Sequence, residues 1–305
     1  MPDTDTVSKS LLDRIDRKKH LLDSRRPLPA EALTRLQEEM RIIHTYNSNA
    51  IEGNTLSLQE TKLVLEEGIT VGGKSLLEHL EVTGNANAFN LLEDMAKNPA
   101  AIAHPGILIL HDLVTWGIQK DHGNYRTTNV RITGAIKRPP DFSKIPVLMT
   151  EMLDSVSEMK GHDVITAAYL HHKFVEIHPF SDGNGRVARL LTNLYLMKNG
   201  YPPIILKKED RLKYYSCLRK ADQGDLIPFA IMIAKAVDES LTIYLAIFGG
   251  DDELIPLKEL TGSTPYSQEY LSLRARQGKL DAVKIERVWH STKAAIEEYM
   301  NANSS

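Results

Sequence analysis

"EIHPFSDGNGRVARLL", residues 176–191, decides the reading of this chain. Pro179 biases His178 away from helical angles, so one helix stops there. "SDGNG" is a tight turn of small residues that tolerate positive φ. "RVARLLTNLYLMKNG" then reads as a helix closed by Gly200. The turn therefore sits at a helix N-terminus, where unpaired N–H groups and the helix dipole favour an anion. Gly183 and Gly185 let a phosphate approach the backbone closely. Arg186 and Arg189 are three apart and project from one face of the first turn. Two arginines over a glycine-rich helix start suit a polyphosphate better than a single phosphate. Asp182 adds a hard oxygen ligand, of the kind that shares Mg²⁺ with phosphate oxygens. His178, at the rim, is the side chain here that can take a proton near neutral pH. Each feature alone is ordinary. Within twelve residues and in this order, they describe a metal-assisted polyphosphate site with a base beside it.

The bulk of the chain is compatible with such a site. It has 305 residues, 42% hydrophobic and 25% charged, the composition of a globular protein with ample core. The formal net charge of −3 demands neither nucleic acid nor an anionic membrane. One cysteine, Cys217, excludes a disulfide framework or a cysteine metal cage within one chain. The first ten residues lack the apolar run of a signal peptide, and "LTIYLAIFGG" is too short to span a bilayer. A cytoplasmic protein, not a membrane one, is expected.

Helical periodicity dominates. Residues 1–29 read as a charged arm. A long helix follows to about residue 53, then "SLQETKLVLEEG", where Ser57 and Glu60 form a capping box and Gly68 a stop. Helices are also expected over 75–98, 107–118, 145–159 with Pro146 in its first turn, 163–177, 185–199, 209–222 and 226–248. The stretch 121–146 differs: it is rich in Gly, Thr and Pro, and "TNVRITG" has β-branched residues, so a short hairpin or extended flap is expected. The last fifty residues form a separate small unit after the linker "GGDDELIP".

"HPFSDGNGRVAR" resembles the signature of the Fic family, His-Pro-Phe-x-Asp/Glu-Gly-Asn-Gly-Arg-x-x-Arg, at every fixed position. "GNYRTTNVRITG" resembles the family's flap, and "NGYPPIILKKEDRLKYYSCLRKADQGD" the segment after the motif helix. The resemblance implies a mainly α fold, a Fic helical core over 104–248 with a short β-hairpin flap and an N-terminal helical region over 1–103; residues 255–305 separately resemble a winged helix-turn-helix. The Fic resemblance implies transfer of AMP from ATP to a hydroxyl of a target protein or of the enzyme itself. His178 would be the base, and Asp182 would hold Mg²⁺ or Mn²⁺. Gly183, Asn184 and Gly185 would grip the α-phosphate region, with Arg186 and Arg189 on the remaining phosphates. Arg131, Ile132, Thr133 and Gly134 of the flap would count among the ATP-binding residues, and along the flap (125–145) a target main chain would dock. Tyr214 falls where the family has a tyrosine near adenine, and Asp222 where relatives often carry Asn. A Fic relative that acts as a kinase has Lys where this chain has Gly185, so AMP transfer is the better reading.

"SNAIEG", residues 48–53, also matches the family's inhibitory helix, here about 31–53. Glu52 is out of place by helix electrostatics, because a helix C-terminus prefers cations. The resemblance implies that Glu52, with Ser48, engages Arg189 and denies it to the γ-phosphate. In some family members the same Glu also supports removal of AMP, and the sequence leaves that activity open.

The tail "TPYSQEYLSLRARQGKLDAVKIERVWHSTKAAIEEYM" reads as helix, turn, helix, strand pair, helix, with one helix begun at Ser267 and another closed at Gly278. Residues 255–305 carry seven basic and six acidic residues, a net of +1. That is a weak footprint for DNA, so protein contact is favoured. Competing readings are a DNA-binding regulator with a nucleotide-sensing core, or a transferase for another nucleotide. The oligomeric state stays open, a homo-oligomer included.

Overall fold

The computed structural model describes residues 7–131, 137–285 and 287–303. Its helices are α1 (Lys9–Ser24), α2 (Ala30–Glu52), α3 (Leu58–Glu67), α4 (Leu76–Lys97), α5 (His104–Thr115), α6 (Ile145–Glu158), α7 (Asp163–Ile177), α8 (Asn184–Lys198), α9 (Arg211–Asp222) and α10 (Ile227–Leu245). Then come β1 (Ile255–Pro256), α11 (Leu257–Leu260), α12 (Gln268–Arg276), β2 (Val283–Ile285), β3 (Val288–Ser291) and α13 (Lys293–Asn303). The fold is mainly α, as expected. Among the described residues no helix is long and apolar enough to cross a membrane.

Local chemistry accounts for many boundaries. Ser57 and Ser75 each accept from the backbone N–H three residues on, and Glu60 and Glu78 return the bond, closing capping boxes at α3 and α4. Gly68 ends α3 in the left-handed conformation. Pro146 occupies the first turn of α6, where no N–H is needed.

The chain divides into two compact units. The larger contains Gln37–Val237 with the chain up to Leu12, so the N-terminal helices and the motif helices form one body. The sequence division at 103/104 has no counterpart there. The physical reason is α8, whose side chains are buried nearly all round and which packs against α4, α5 and α7. Phe89, Leu110, Met149, Phe174, Val187 and Leu190 belong to one continuous core across α4 to α8. A helix buried on all sides needs neighbours on all sides, and α4 is one of them.

The smaller unit comprises Asp13–Leu36 and Asp238–Ser305. Here the charged arm expected over 1–29 is corrected: Lys9–Ser24 is a helix. Its Ile15 and Leu22 are buried, and Lys18 is buried with its Nζ 2.7 Å from both Asp238 and Asp281. Arg14 adds a second cation to Asp238. Burial works against the Asp238 charge, but Lys18 and Arg14 outweigh it and hold the carboxyl below its ordinary range. The tail has the expected strand pair and final helix. β3 lies between β1 and β2, antiparallel to both, with Ile255 opposite Ser291 and Lys284 opposite Trp289. A single helix, α12, runs from the Ser267 cap to the Gly278 stop, so those two signals belong to one helix rather than two. Leu257, Leu260, Leu271, Leu280 and Ile296 form this unit's core.

The flanks of the expected flap, 121–131 and 137–141, run as turns and irregular chain. Ile132, Thr133 and Gly134 lie outside the described residues, and with them the centre of the expected hairpin.

The α4–α5 crossing depends on a missing side chain. A Cβ on Gly84 would fall on the Leu113 carbonyl oxygen, which is backbone and has no rotamer to yield. Gly84→Ala is therefore expected to force the helices apart and cost about 1–3 kcal/mol, read as a lower urea midpoint. An unchanged or raised midpoint would show that the crossing has slack.

Candidate active site

The site is built at the N-terminus of α8. α7 ends at Ile177, and His178 takes a left-handed conformation with φ 52°, its N–H donating to the Phe174 carbonyl. Gly183 is also left-handed, φ 77°, and turns the chain into α8. A Cβ there would strike the Thr115 methyl. Asn184 spans the turn: its Nδ2 donates to the Phe180 carbonyl at 2.9 Å, and its Oδ1 accepts the Phe180 N–H at 3.0 Å. The remaining first-turn N–H groups of α8 have no partner within the helix and face outward from its end.

The state of His178 follows from one contact. Its Nδ1 lies 3.2 Å from the Val175 carbonyl, which can only accept, so Nδ1 carries the proton. Burial pushes its pKa below the ordinary histidine value, against the help of that hydrogen bond. At neutral pH the ring is uncharged and Nε2 keeps its lone pair, the form a general base requires.

A second histidine holds the loop from the other side. His111 on α5 stacks on Phe180, ring centroids 3.6 Å apart and planes at 2°. Its Nδ1 accepts from the Gly123 N–H at 3.0 Å, so Nε2 bears hydrogen and donates to the Asp182 carbonyl at 3.1 Å. Burial lowers its pKa to about 4. The Asp182 carboxylate itself is half-exposed; Oδ1 accepts from the Gly183 N–H at 2.7 Å, and Oδ2 lies 3.3 Å from Gln119 Nε2 and 3.5 Å from Arg186. Among the described residues no three His, Cys, Asp or Glu side chains gather into a metal cage. A single accessible carboxylate beside a phosphate-binding helix end fits a Mg²⁺ ion that takes its other oxygens from nucleotide and water.

The two motif arginines are both buried and have different partners. Arg186 Nη1 meets Glu81 of α4 at 3.1 Å, and Asn54 holds the same carboxylate at 2.9 Å. Arg189 donates through Nε to Ser48 Oγ at 2.9 Å, and through Nη2 to the Ser48 carbonyl at 2.8 Å and Glu52 Oε1 at 2.7 Å. Burial opposes the Arg189 charge, yet Glu52 holds its pKa above the ordinary arginine value. Glu52 thus lies over the helix start: a Cβ on Gly185 would fall on its Oε1. Tyr215 reaches Glu52 Oε2 at 3.4 Å, and Arg211 caps the end of α2 by donating to the Ile51 carbonyl at 2.6 Å.

Tyr214 and Asp222, the residues expected near adenine, both have partners within the chain. Tyr214 is buried, and its hydroxyl donates to His171 Nε2 at 2.9 Å. The chain of donors fixes that direction, because Thr192 gives its proton to the Ala188 carbonyl and must accept from His171 Nδ1. Its ring is therefore committed to the core. The neighbouring half-buried Tyr215 is the ring beside Glu52. Asp222 is bonded to His172 at 3.0 Å. Arg131 is exposed at the edge of the described flap. His111, Glu81 and Tyr215 were not singled out from sequence. His111 had a signal, a lone polar residue on the apolar face of "ILILHDLV". Glu81 and Tyr215 gave none beyond helical spacing.

Residues 102–196 match a family model described as Fic/DOC family. The chain is 35% identical over 297 residues to the protein adenylyltransferase Fic of Culex quinquefasciatus, and 36% identical over 251 residues to that of Nematostella vectensis. These alignments cover 93% and 81% of this chain but 59% and 58% of the relatives, so the chain spans a little under three fifths of their length. Among solved structures, Fic-1 from C. elegans is 33% identical with a TM-score of 0.70, covering 79% of this chain and 72% of that one. A Fic domain containing signaling protein from Bacteroides thetaiotaomicron gives 0.71 at 28% identity, covering 80% and 98%.

Three buried histidines share a consequence. Burial holds His44 down at about 3 and His111 at about 4, and pushes His171 well below the ordinary value. Each therefore contributes stability that is present above about pH 6.5 and is lost as pH falls toward the folded value. Between pH 7 and pH 5 unfolding stability is expected to drop by about 2 kcal/mol per histidine, read by urea unfolding at the two pH values. Equal stability at both would contradict burial of these rings in neutral form.

Proposed function

The chain belongs to the Fic family, and from that premise we propose that it is a protein adenylyltransferase, moving AMP from ATP to a Ser, Thr or Tyr hydroxyl of a target protein or of itself. The observation that carries this is the joining, at one helix start, of a neutral His178 with a free Nε2, the Asp182 carboxylate, a glycine turn and two buried arginines. His178 Nε2 takes the hydroxyl proton as the oxygen attacks the α-phosphorus. The bond to the β-phosphate oxygen breaks, and pyrophosphate leaves. Such transfers need in-line positioning and charge neutralisation more than covalent help from the protein. The first-turn amides of α8, with Asn184 shaping the turn, and Arg186 supply that positioning. Asp182 would hold Mg²⁺ or Mn²⁺, whose charge, when bound, offsets that of the leaving phosphates. Tyr215, rather than Tyr214, is the ring proposed to meet the adenine, with Asp222 further along α9. The target main chain docks along 125–145. A lone buried Cys217 suits a reducing, cytoplasmic setting.

In this reading the described state is inhibited. Arg189 is the natural partner of the γ-phosphate, and Glu52 occupies it. A charge-assisted bond to a buried guanidinium far exceeds the cost of an acid at a helix end, under about 1 kcal/mol. Release of Glu52 frees Arg189 for ATP.

With labelled ATP, Glu52→Gly is expected to raise self-modification at least about tenfold, the worth of one charge-assisted hydrogen bond. His178→Ala in the same background is expected to abolish it. Labelling unchanged by the Glu52 substitution would remove the inhibition, and labelling that survives without His178 would remove the mechanism. In the active variant the rate is expected to fall only below about pH 6.5, because His178 titrates below the ordinary value.

A further inference from the structure

Arg126 stands in the stretch before the flap centre, outside the motif, yet it is among the most buried charged groups of the chain, 2% exposed. Its three guanidinium nitrogens go to three separate main-chain carbonyls. Nε donates to His178 at 2.8 Å, Nη1 to Thr128 at 2.8 Å and Nη2 to Pro140 at 2.7 Å. Its own N–H donates to the Pro179 carbonyl at 2.9 Å. One side chain thus ties the residue carrying the base to both ends of the 125–145 segment. A second rung, Asn129 to Asp141 at 2.8 Å with the Phe142 N–H returning to Asn129, joins the same two ends.

This arrangement is costly. Burying a cation against neutral carbonyls lacks the compensation of an ion pair, and burial accordingly lowers the Arg126 pKa, with Asp141 opposing only at a distance. The cost is met where it fixes something otherwise unstable. His178 is a non-glycine residue in the left-handed region, a conformation that persists only when its surroundings hold it. Its N–H is held by Phe174, its ring by Val175 and its carbonyl by Arg126. The planar fork of an arginine can serve three diverging acceptors; a lysine ammonium is a point charge on a flexible stem.

We propose that Arg126 is a positioning residue for the transfer reaction: it locks the backbone of the base His178 and the two ends of the target-docking segment into one rigid unit. The incoming hydroxyl and Nε2 then share a common frame. Arg126 makes no contact with the glycine turn, Asp182, Arg186 or Arg189 among its bonds, so nucleotide binding does not depend on it. The proposal rests on the adenylyltransferase reading.

The test uses the full chain carrying Glu52→Gly, with and without Arg126→Lys, assayed for transfer from labelled ATP and for binding of a non-hydrolysable ATP analogue. The lysine keeps the charge and loses the fork. Expected is a fall in kcat of about tenfold to a hundredfold, the effect of misplacing a reacting group by an ångström, with KM for ATP and analogue affinity within about twofold of the parent. Equal kcat in the two proteins would overturn the proposal. Loss of analogue binding or of the folded circular-dichroism signal in parallel with kcat would also overturn it, by showing that Arg126 only supports the fold. A Glu52→Gly parent that binds the analogue but transfers nothing would instead sink the adenylyltransferase reading.

Discussion

A guanidinium buried at a helix start needs an anion, and Arg189 has one in Glu52. Arg189 projects from a helix closed in by α4, α5 and α7 and is only 3% exposed. It cannot turn to water when its partner is absent. Either a carboxylate of its own chain or a phosphate of a ligand must answer the charge. In the proposed reading that demand makes the site a switch. α2 delivers Ser48 and Glu52 from one face, one turn apart, and Arg211 pins the Ile51 carbonyl near its end. Gly185 leaves the room in which the Glu52 carboxylate lies. In the proposed reading the contact that silences the site also satisfies the buried Arg189 charge, and removing Glu52 trades stability for an open phosphate position.

The buried histidines around the site are neutral. His178, His111 and His171 each have a donor–acceptor pattern fixed by a main-chain or hydroxyl partner of known direction. Burial keeps all three from protonating near pH 7. The catalytic loop is pinned at its first residue by Arg126 and near its end by His111, and it leads into the first turn of α8, whose N–H groups have no partner within the helix. A rigid loop ending at such a helix start is what electrostatic stabilisation of a transferring phosphate requires.

Sequence patterns exposed much of this and concealed particular parts. The capping box at Ser57, the stop at Gly68 and the Pro146 start are local chemistry, so α3 and α6 were legible from a few residues each, and α4 from its helical spacing. The motif was legible because its residues are contiguous, and the oddity of Glu52 because it violates helix electrostatics. What stayed hidden arises between distant segments. α1 was read as an arm because its charges dominate the composition; Lys18 and Arg14 are paid for by Asp238 and Asp281, more than 200 residues away. Arg126 gives no signal of its role, since nothing local shows that its partners are carbonyls of residues 140 and 178. Tyr214 and Tyr215 are adjacent and chemically identical, and only packing sends one into the core and leaves the other beside Glu52.

The central claim is that Glu52 withholds Arg189 from the γ-phosphate. The ratio of ATP to ADP affinity, measured by calorimetry before and after Glu52→Gly, reads that contact alone. If the claim holds, the native chain binds the two nucleotides about equally, and the variant prefers ATP by about tenfold or more, the worth of one charge-assisted hydrogen bond. The same ratio in both proteins would contradict it.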